Sequence, residues 1–168
     1  MHTARVSGSA VVIEKKIYAL GGYGGHNFMN IVEWTDPSSG VWTKLCSLPH
    51  LRQGLVVIAD KNKIILFGGW NAEICVSTVW SIDLEEETPT VRKMPSMNQG
   101  HTDFTAIKCG SQYIVFGGCN SFHEPSKTME VFNGKKWTVP CFLPSERAFH
   151  ASISMTLDIV KFMKDFVR

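Results

Sequence analysis

The chain has 168 residues, of which 44% are hydrophobic and 19% charged, values ordinary for one globular domain with a sizeable core. The formal net charge of +2 gives no electrostatic reason to expect a nucleic acid or an anionic membrane as partner. The longest apolar runs, such as residues 55–59, fall far short of the roughly 20 residues that a spanning helix requires. The first ten residues lack the pattern of a signal peptide, and the five cysteines are scattered without a C-x-x-C spacing. We therefore expect a cytosolic or nuclear protein with reduced thiols.

A repeat of about 48 residues runs through the chain and governs its interpretation. Three apolar segments end in a glycine pair: KIYALGG (16–22), KIILFGG (63–69) and QYIVFGG (112–118). The pairs start at residues 21, 68 and 117, so the steps are 47 and 49. Sixteen residues before each pair stands a basic residue that opens an apolar run: Arg5, Arg52 and His101. A short polar turn then leads into the strand that ends in Gly-Gly.

After each glycine pair the sequence continues in the same order. A loop of about ten residues is followed by a third short strand (NIVEWTD, STVWSID or TMEVFN), a turn, and a fourth segment that closes at proline. Four short strands per unit of this length are typical of a propeller blade. The sequence therefore predicts an all-β propeller segment with blades at about 5–50, 51–97 and 98–145, and no helix before residue 156.

The repeated residues have physical reasons in such a blade. A glycine pair suits a position where backbones approach closely or where φ is positive. The glycines concerned are Gly21, Gly22, Gly68, Gly69, Gly117 and Gly118. Trp42 and Trp137 can fill the wedge that opens between blades as they diverge from the axis. We also expect the first strand of each blade to be buried on both faces, because its sequence is continuously apolar.

Residues 5–52 resemble a kelch repeat, closest to the kind found in BTB-kelch (kelch-like) proteins. Those proteins combine Gly-Gly with V-E-x-Tyr-Asp-Pro, a following Trp, and Met-Pro or Leu-Pro leading to Arg, as in VEWTDP (32–37), Trp42 and LPHLR (48–52). The family's tyrosine is replaced by Thr35, Ile82 and Phe132 in the three units, and Val91 stands where the second tryptophan is expected. The resemblance extends from Arg5 to about Met155 and implies a kelch-type propeller.

A fourth unit starts without completing its strands. ERAFHASISM (146–155) repeats the opening strand, with Arg147 forty-six residues after His101, and no further Gly-Gly follows. In the tail, 156–168, a short amphipathic helix is predicted with Asp158 near its N-cap. Its i, i+3, i+4, i+7, i+8 stripe consists of Ile159, Phe162, Met163, Phe166 and Val167. The alternative is a disordered end whose spacing is accidental.

Three blades make an open arc with two apolar end faces, whereas propellers commonly close with four to eight blades. Three interpretations follow. The chain is a truncated or alternatively spliced product of a longer protein, it self-associates through its open blade faces, or it is a compact domain with the tail helix over one face. The sequence leaves these three open.

The sequence lacks motifs for catalysis and for cofactor binding. No G-x-S-x-G or H-E-x-x-H occurs, and Gly-Gly-Tyr-Gly-Gly (21–25) opens no helix that could bind a phosphate. His26 and His123–Glu124 occupy equivalent loops, but without a metal-ligand spacing they favour solvent or partner contacts. We therefore predict no catalytic residue, no metal and no cofactor.

The loops after the glycine pairs are the predicted partner-binding surface. They are the same loop of successive blades, so they emerge on one face, and their side chains offer large contact areas or adaptable hydrogen bonds. The candidates are Tyr23, His26, Asn27, Phe28, Trp70, Asn71, Glu73, Asn120, Phe122 and His123. Each is alternatively a loop residue that folds back onto its own blade.

The repeated basic position also has two interpretations. Arg5, Arg52, His101 and Arg147 either tie neighbouring blades together or form a basic ring for an acidic partner motif.

The resemblance implies a protein-interaction module. Kelch-like proteins join the propeller to a BTB domain that recruits a cullin-3 ubiquitin ligase, while the propeller holds the substrate. The sequence contains no BTB domain, so this chain alone is expected to bind a substrate peptide without recruiting the ligase, and thereby to act as a competitor. The alternatives are an actin-binding kelch protein and a kelch-fold enzyme such as a sugar epimerase.

Overall fold

The computed structural model describes residues 1–152, which form three antiparallel sheets of four strands and contain no helix. Blade 1 consists of β1 (Ser9–Ile13), β2 (Lys16–Leu20), β3 (Ile31–Thr35) and β4 (Trp42–Ser47). Blade 2 consists of β5 (Val56–Asp60), β6 (Lys63–Phe67), β7 (Val79–Asp83) and β8 (Val91–Met94). Blade 3 consists of β9 (Thr105–Cys109), β10 (Gln112–Phe116), β11 (Ser126–Phe132) and β12 (Trp137–Arg147). The predicted all-β organisation in four-stranded units is confirmed.

In every sheet the spatial order of the strands follows the chain, so each blade is a simple meander. Within residues 1–152 there is no helix long and apolar enough to cross a membrane.

The outer strand of blade 3 is longer than the sequence indicates. β12 continues past Pro144, where we expect it to close, because its pairing with β11 shifts register and brings Arg147 opposite Ser126. An edge strand tolerates Pro140 and Pro144 because its outer side needs no N–H donors for a ladder. As a result β12 takes in residues 146–147, which the sequence assigns to the first strand of a fourth unit.

In blades 1 and 2 the second strand, rather than the first, is the more consistently buried. In β6, Ile64 and Leu66 pack into a core shared with blade 1, whereas Ile65 and Phe67 pack into a core shared with blade 3. In β1, by contrast, Val12 is 61% exposed. The expectation that first strands are buried on both faces was therefore wrong for β1. The physical reason is that β1 lies at the edge of its sheet and at the end of the arc, with a neighbouring blade on one face only.

Trp137 fills the wedge between blades 2 and 3. Its ring lies 6.1 Å from that of Phe67 and 5.2 Å from that of Phe132. Its Nε1 donates a hydrogen bond to the carbonyl oxygen of Pro95 at 2.8 Å. Val91 holds the equivalent place in blade 2 and packs into the core with blade 1, so a smaller apolar residue fills that wedge.

The end faces of the arc differ from the interfaces between blades. Trp42 pairs with Thr35 and lies on the face of blade 1 that points away from blade 2. The first residues of the chain lie against this face: the backbone N–H of His2 donates to Glu33 Oε1 at 3.1 Å. On the end face of blade 3, Phe116 is half-buried. Self-association through these faces stays a prediction.

Each glycine pair lies where the chain entering the next blade crosses the end of a second strand. At Gly68, φ is +51° and an added Cβ would lie 2.7 Å from the carbonyl oxygen of His101. At Gly69, φ is +101° and the backbone N–H donates to that same carbonyl at 2.8 Å. The N–H groups of Gly22 and Gly118 repeat this bond with the carbonyl oxygens of Arg52 and Arg147, both at 2.8 Å. Close approach and positive φ therefore both require glycine.

Residues 147–152 follow the path of the earlier units. Ser7, Gly54, Asp103 and Phe149 occupy equivalent positions, with φ values of +52°, +59°, +53° and +54°. Their backbones form a series of hydrogen bonds, from Gly54 N to Ser7 O at 2.8 Å, from Asp103 N to Gly54 O at 3.0 Å, and from Phe149 N to Asp103 O at 2.9 Å. A fourth unit thus begins against blade 3. The end of its predicted first strand and the predicted tail helix lie outside the described residues.

Candidate interaction face

The loops after the glycine pairs share one end of the sheets with the connections between blades. Strands of a meander alternate in direction, so the β2–β3 loop and the β4–β5 connection leave the same end. The face therefore includes residues 48–55 and 95–104 as well as the predicted loops. Leu51, 46% exposed, lies in the first of these connections and was missed. Strand alternation, which is readable from the sequence, could have found it.

The aromatic residues of the blade 1 loop pack against each other. The rings of Tyr23 and Phe28 meet edge to face at 5.4 Å, and the Tyr23 hydroxyl donates to the carbonyl oxygen of Gly25 at 2.9 Å. Both aromatic side chains are half-buried. His26 and Asn27 are exposed at the tip of the loop, so in blade 1 these two remain available for a partner.

Asn71 and Asn120 stabilise their own loops. The Oδ1 of Asn71 accepts from the backbone N–H groups of Glu73 at 3.1 Å and Ile74 at 2.9 Å. The Oδ1 of Asn120 accepts from those of Phe122 at 2.9 Å and Glu124 at 3.1 Å. These are side-chain turns of the kind that asparagine favours. The two asparagines therefore fold back onto their blades, as the alternative interpretation of the loop residues allowed.

The loops of blades 2 and 3 are joined by three contacts. The rings of Trp70 and His123 stack with centroids 4.9 Å apart and planes 17° apart. The backbone N–H of Cys75 donates to Ser121 Oγ at 2.9 Å, and Cys75 Sγ lies 3.6 Å from the carbonyl oxygen of Cys119. The structure thus brings Trp70 and His123 together, although 53 residues separate them.

The joined loops present large apolar side chains to solvent. Phe122 is 82% exposed and Ile74 is 54% exposed. Ile74 precedes Cys75 and Phe122 follows Ser121, so both side chains project from the surface next to the hydrogen bond that joins the loops. We call this surface the loop platform; it consists of Trp70, Glu73, Ile74, Phe122, His123 and Glu124. Ile74 was missed by sequence reasoning, since a single apolar residue in a loop carries no signal of its exposure.

A groove lies between blades 1 and 2 on the same face. Its volume is about 330 Å³, and its walls are Asn30, Pro49, His50, Leu51, Asn71 and Glu73. The groove connects the missed Leu51 with the predicted Glu73, so the interaction face extends beyond the loop platform.

Three of the four repeated basic side chains are buried within their own blades. Arg5 donates to the carbonyl oxygen of Gly21 at 2.8 Å and pairs with Glu33. Arg52, 1% exposed, donates to the carbonyl oxygen of Gly68 at 3.0 Å. Three of the four basic positions are therefore inaccessible to a partner: Arg5, Arg52 and His101. Arg147 is exposed and donates to Ser145 Oγ at 3.0 Å. A basic ring for an acidic motif does not form among the described residues.

A buried carboxylate completes this arrangement in blade 3. Glu130, fully buried, accepts from His101 Nε2 at 3.2 Å and from the backbone N–H groups of Asn98 at 2.7 Å and Gln99 at 3.0 Å. Burial alone would raise its pKa, but the hydrogen bonds outweigh burial and lower the pKa. Glu130 thereby fixes the connection that enters blade 3, on the interaction face.

Blade 2 departs from this pattern in two coordinated ways. Trp80 stands where blades 1 and 3 have Glu33 and Glu130, and Pro49, which has no N–H to donate, stands where they have His2 and Asn98. Blade 2 thus lacks both the carboxylate acceptor and the backbone N–H donor of this hydrogen bond. Arg52 has no carboxylate partner among the described residues, and burial lowers its pKa to about 10.

The described residues offer no arrangement for metal chemistry. Within residues 1–152, no group of three or more His, Cys, Asp or Glu side chains could hold a metal ion. All five cysteines are free, and burial raises the pKa of Cys75 and Cys119, which keeps both thiols protonated at neutral pH.

The family model described as the KLHDC2/KLHL20/DRC7 kelch-repeats domain matches residues 1–162. The chain belongs to the kelch-repeat family. The predicted resemblance is thus confirmed at the level of the kelch repeat. Kelch-repeat propellers are in general protein-interaction modules.

The individual relatives of this kelch-repeat chain are distant. Kelch domain-containing protein 10 of human is 24% identical over 138 residues, which are 74% of this chain and 30% of that protein. The rat protein of the same name is equally identical, with 32% of its length covered. The flagellar outer arm dynein alpha chain of Chlamydomonas reinhardtii is 25% identical over 122 residues, 66% of this chain and 3% of that protein. The chain therefore spans about a third or less of the curated relatives it matches.

The solved structure of YjhT is similar to this kelch-repeat chain, with a TM-score of 0.82 and 15% sequence identity. The likeness covers 90% of this chain and 59% of that one. At this identity it shows a shared fold alone. Together with the family match, it confirms the predicted kelch-type propeller segment.

Proposed function

We propose that this chain binds a partner protein through the interaction face, with the loop platform at its centre. The observation that carries the proposal is the pair of joined loops that hold Phe122 and Ile74 exposed. Because Asn71 and Asn120 already fix the loop backbones, little ordering entropy is lost on binding. Large side chains on a rigid support are typical of interaction hot spots. Membership of the kelch-repeat family supports the same function.

A selection experiment tests which end of the blades binds. A random peptide library displayed on phage is selected against the folded chain, and recovered peptides are remeasured on four variants. Leu51→Arg and Phe122→Arg alter the interaction face, whereas Val12→Arg and Val41→Arg are controls at side chains 61% and 65% exposed away from it. We expect the first two substitutions to lower the affinity for the peptides at least about tenfold and the control substitutions to leave the affinity unchanged. The proposed function would be rejected if the peptides lost affinity only for the control variants, or if no peptide were recovered.

The partner that we propose is a ubiquitin-ligase substrate. The resemblance to BTB-kelch proteins in VEWTDP (32–37) and LPHLR (48–52) supports this role, since in those proteins the propeller holds the substrate while a BTB domain recruits the ligase. The free cysteines support a cytosolic or nuclear location. When the 168 residues are expressed beside a BTB-kelch protein that takes the same substrate, we expect the substrate to co-precipitate with them without cullin-3 and its ubiquitination to fall. Recovery of cullin-3 with the 168 residues would contradict the competitor role.

A cytoskeletal role is the second candidate. It is favoured by the similarity to a flagellar outer arm dynein chain, together with the actin binding implied by the kelch resemblance. Co-sedimentation with actin filaments separates the two candidates, because a substrate-binding module would stay in the supernatant.

A further inference from the structure

We propose that the loop platform takes a short partner segment in which an apolar side chain is flanked by lysine or arginine. This inference rests on the proposed function and names the partner class for the same face. The apolar contacts are Phe122 and Ile74, the most exposed large hydrophobic residues of the two joined loops. The carboxylates of Glu73 and Glu124 lie beside them and are exposed.

The platform is fixed before any partner arrives. Ile74 and Phe122 are each held through a backbone N–H that donates to an asparagine Oδ1 of the same loop, both at 2.9 Å. The stack of Trp70 on His123 and the bond from Cys75 N to Ser121 Oγ fix one loop against the other. Two apolar side chains on backbones that are already fixed relative to each other can contact an inserted side chain with little loss of backbone entropy.

Charge selects among apolar segments. Glu73 directly precedes Ile74, and Glu124 lies two residues after Phe122. Each apolar contact therefore has a carboxylate close to it in the sequence. Glu124 is held in place by Asn120 Nδ2, which donates to its Oε2 at 2.8 Å. A lysine or arginine beside the inserted apolar residue would pair with these carboxylates, whereas an aspartate or glutamate would be repelled.

The same chemistry continues beyond the platform into a second groove. This groove, about 540 Å³ in volume, runs along blade 3 from Asn120 and Glu124 to Phe142 and Glu146. Phe142 is 61% exposed. Its charged walls are the carboxylates of Glu124 and Glu146 and the ammonium of Lys127, so the net charge is negative. An extended segment that leaves the platform along blade 3 therefore meets apolar and acidic contacts again.

The test sorts peptides from the random phage-displayed library by the surface on which they depend. Each recovered peptide is synthesised, and its affinity is measured for the unsubstituted chain, for Ile74→Ser, for Phe122→Ser and for the control Val41→Ser. For platform peptides we expect a loss of at least about tenfold on the first two variants and none on the control. We expect these peptides to carry an apolar residue next to lysine or arginine. Glu73→Gln and Glu124→Gln should each lower the affinity for these peptides about threefold and make their binding less dependent on salt.

The outcomes separate the inference from the function on which it rests. Platform-dependent peptides that are neutral or acidic would overturn the charge rule. Peptides that depend on Leu51 and not on Phe122 would overturn the platform as the site while leaving the interaction face as the binding surface. If no peptide depends on any residue of that face, both the inference and the proposed function fail.

Discussion

Glu130→Gln is expected to lower the free energy of unfolding by about 3 kcal/mol. The fully buried carboxylate accepts hydrogen bonds from His101 and from the backbone N–H groups of Asn98 and Gln99. The amide of glutamine has the same shape, but its NH₂ group would face one of these donors and leave it unpaired in the interior. Urea denaturation at pH 7 measures the loss. The exposed Glu87→Gln serves as a control and should change stability by less than about 0.5 kcal/mol.

The same variant carries a pH signature. Because the folded state lowers the pKa of Glu130, its stabilisation is fully present above the unfolded-state pKa of about 4.3 and is lost as the pH falls through the folded pKa. The stability difference between the unsubstituted chain and Glu130→Gln should therefore shrink as the pH falls below about pH 4. A difference that is equal at pH 7 and pH 3 would show that the ionised carboxylate is not what stabilises this connection.

Gly68→Ala is expected to lower the free energy of unfolding by about 3 kcal/mol or more. At φ +51° an L-residue is strained, and the new Cβ would lie 2.7 Å from the carbonyl oxygen of His101 and 3.0 Å from the Phe104 ring. Neither neighbour can move freely, since that carbonyl accepts from Gly69 N at 2.8 Å and Phe104 is buried in the core between blades 2 and 3. The chain entering blade 3 would have to shift.

Gly110→Ala is the matched control for this change. Gly110 has φ +58° but no atom within 4 Å of an added Cβ, so only the backbone strain of about 1–2 kcal/mol applies. The excess loss in Gly68→Ala over Gly110→Ala then measures the close approach of the next blade, with both variants followed by urea denaturation. Equal losses would mean that positive φ alone explains the glycine.

The glycine pairs show how much of the fold could be predicted from the sequence. Their spacing predicted the blades, and the two reasons offered for them, close approach and positive φ, both hold at Gly68 and Gly69. The period was readable because each blade is a local meander whose strands pair with their sequence neighbours. The burial of first strands was misjudged at Val12, because exposure depends on the neighbouring blade rather than on the strand's own composition.

The candidate site was predictable only in outline. Strand order placed the three loops on one face, but it did not distinguish Asn71, which folds back, from Phe122, which is exposed. Asparagine suits both a partner-binding loop and a loop-stabilising turn. Which role applies depends on backbone N–H groups two or three residues away, whose positions are set only when the loop has folded.

The sequence by itself determined the repeat, the strands, the glycine junctions and the membership of the kelch family, because all of these follow from short-range patterns that recur in every unit. The tertiary structure alone decided which distant residues meet. Trp70 stacks on His123 of the next blade, Glu130 accepts from Asn98 and Gln99, and Arg52 is buried without a carboxylate among the described residues. The two contacts join residues about 30 to 50 positions apart, and their partners are set by how the folded strands and loops pack, which no local pattern encodes.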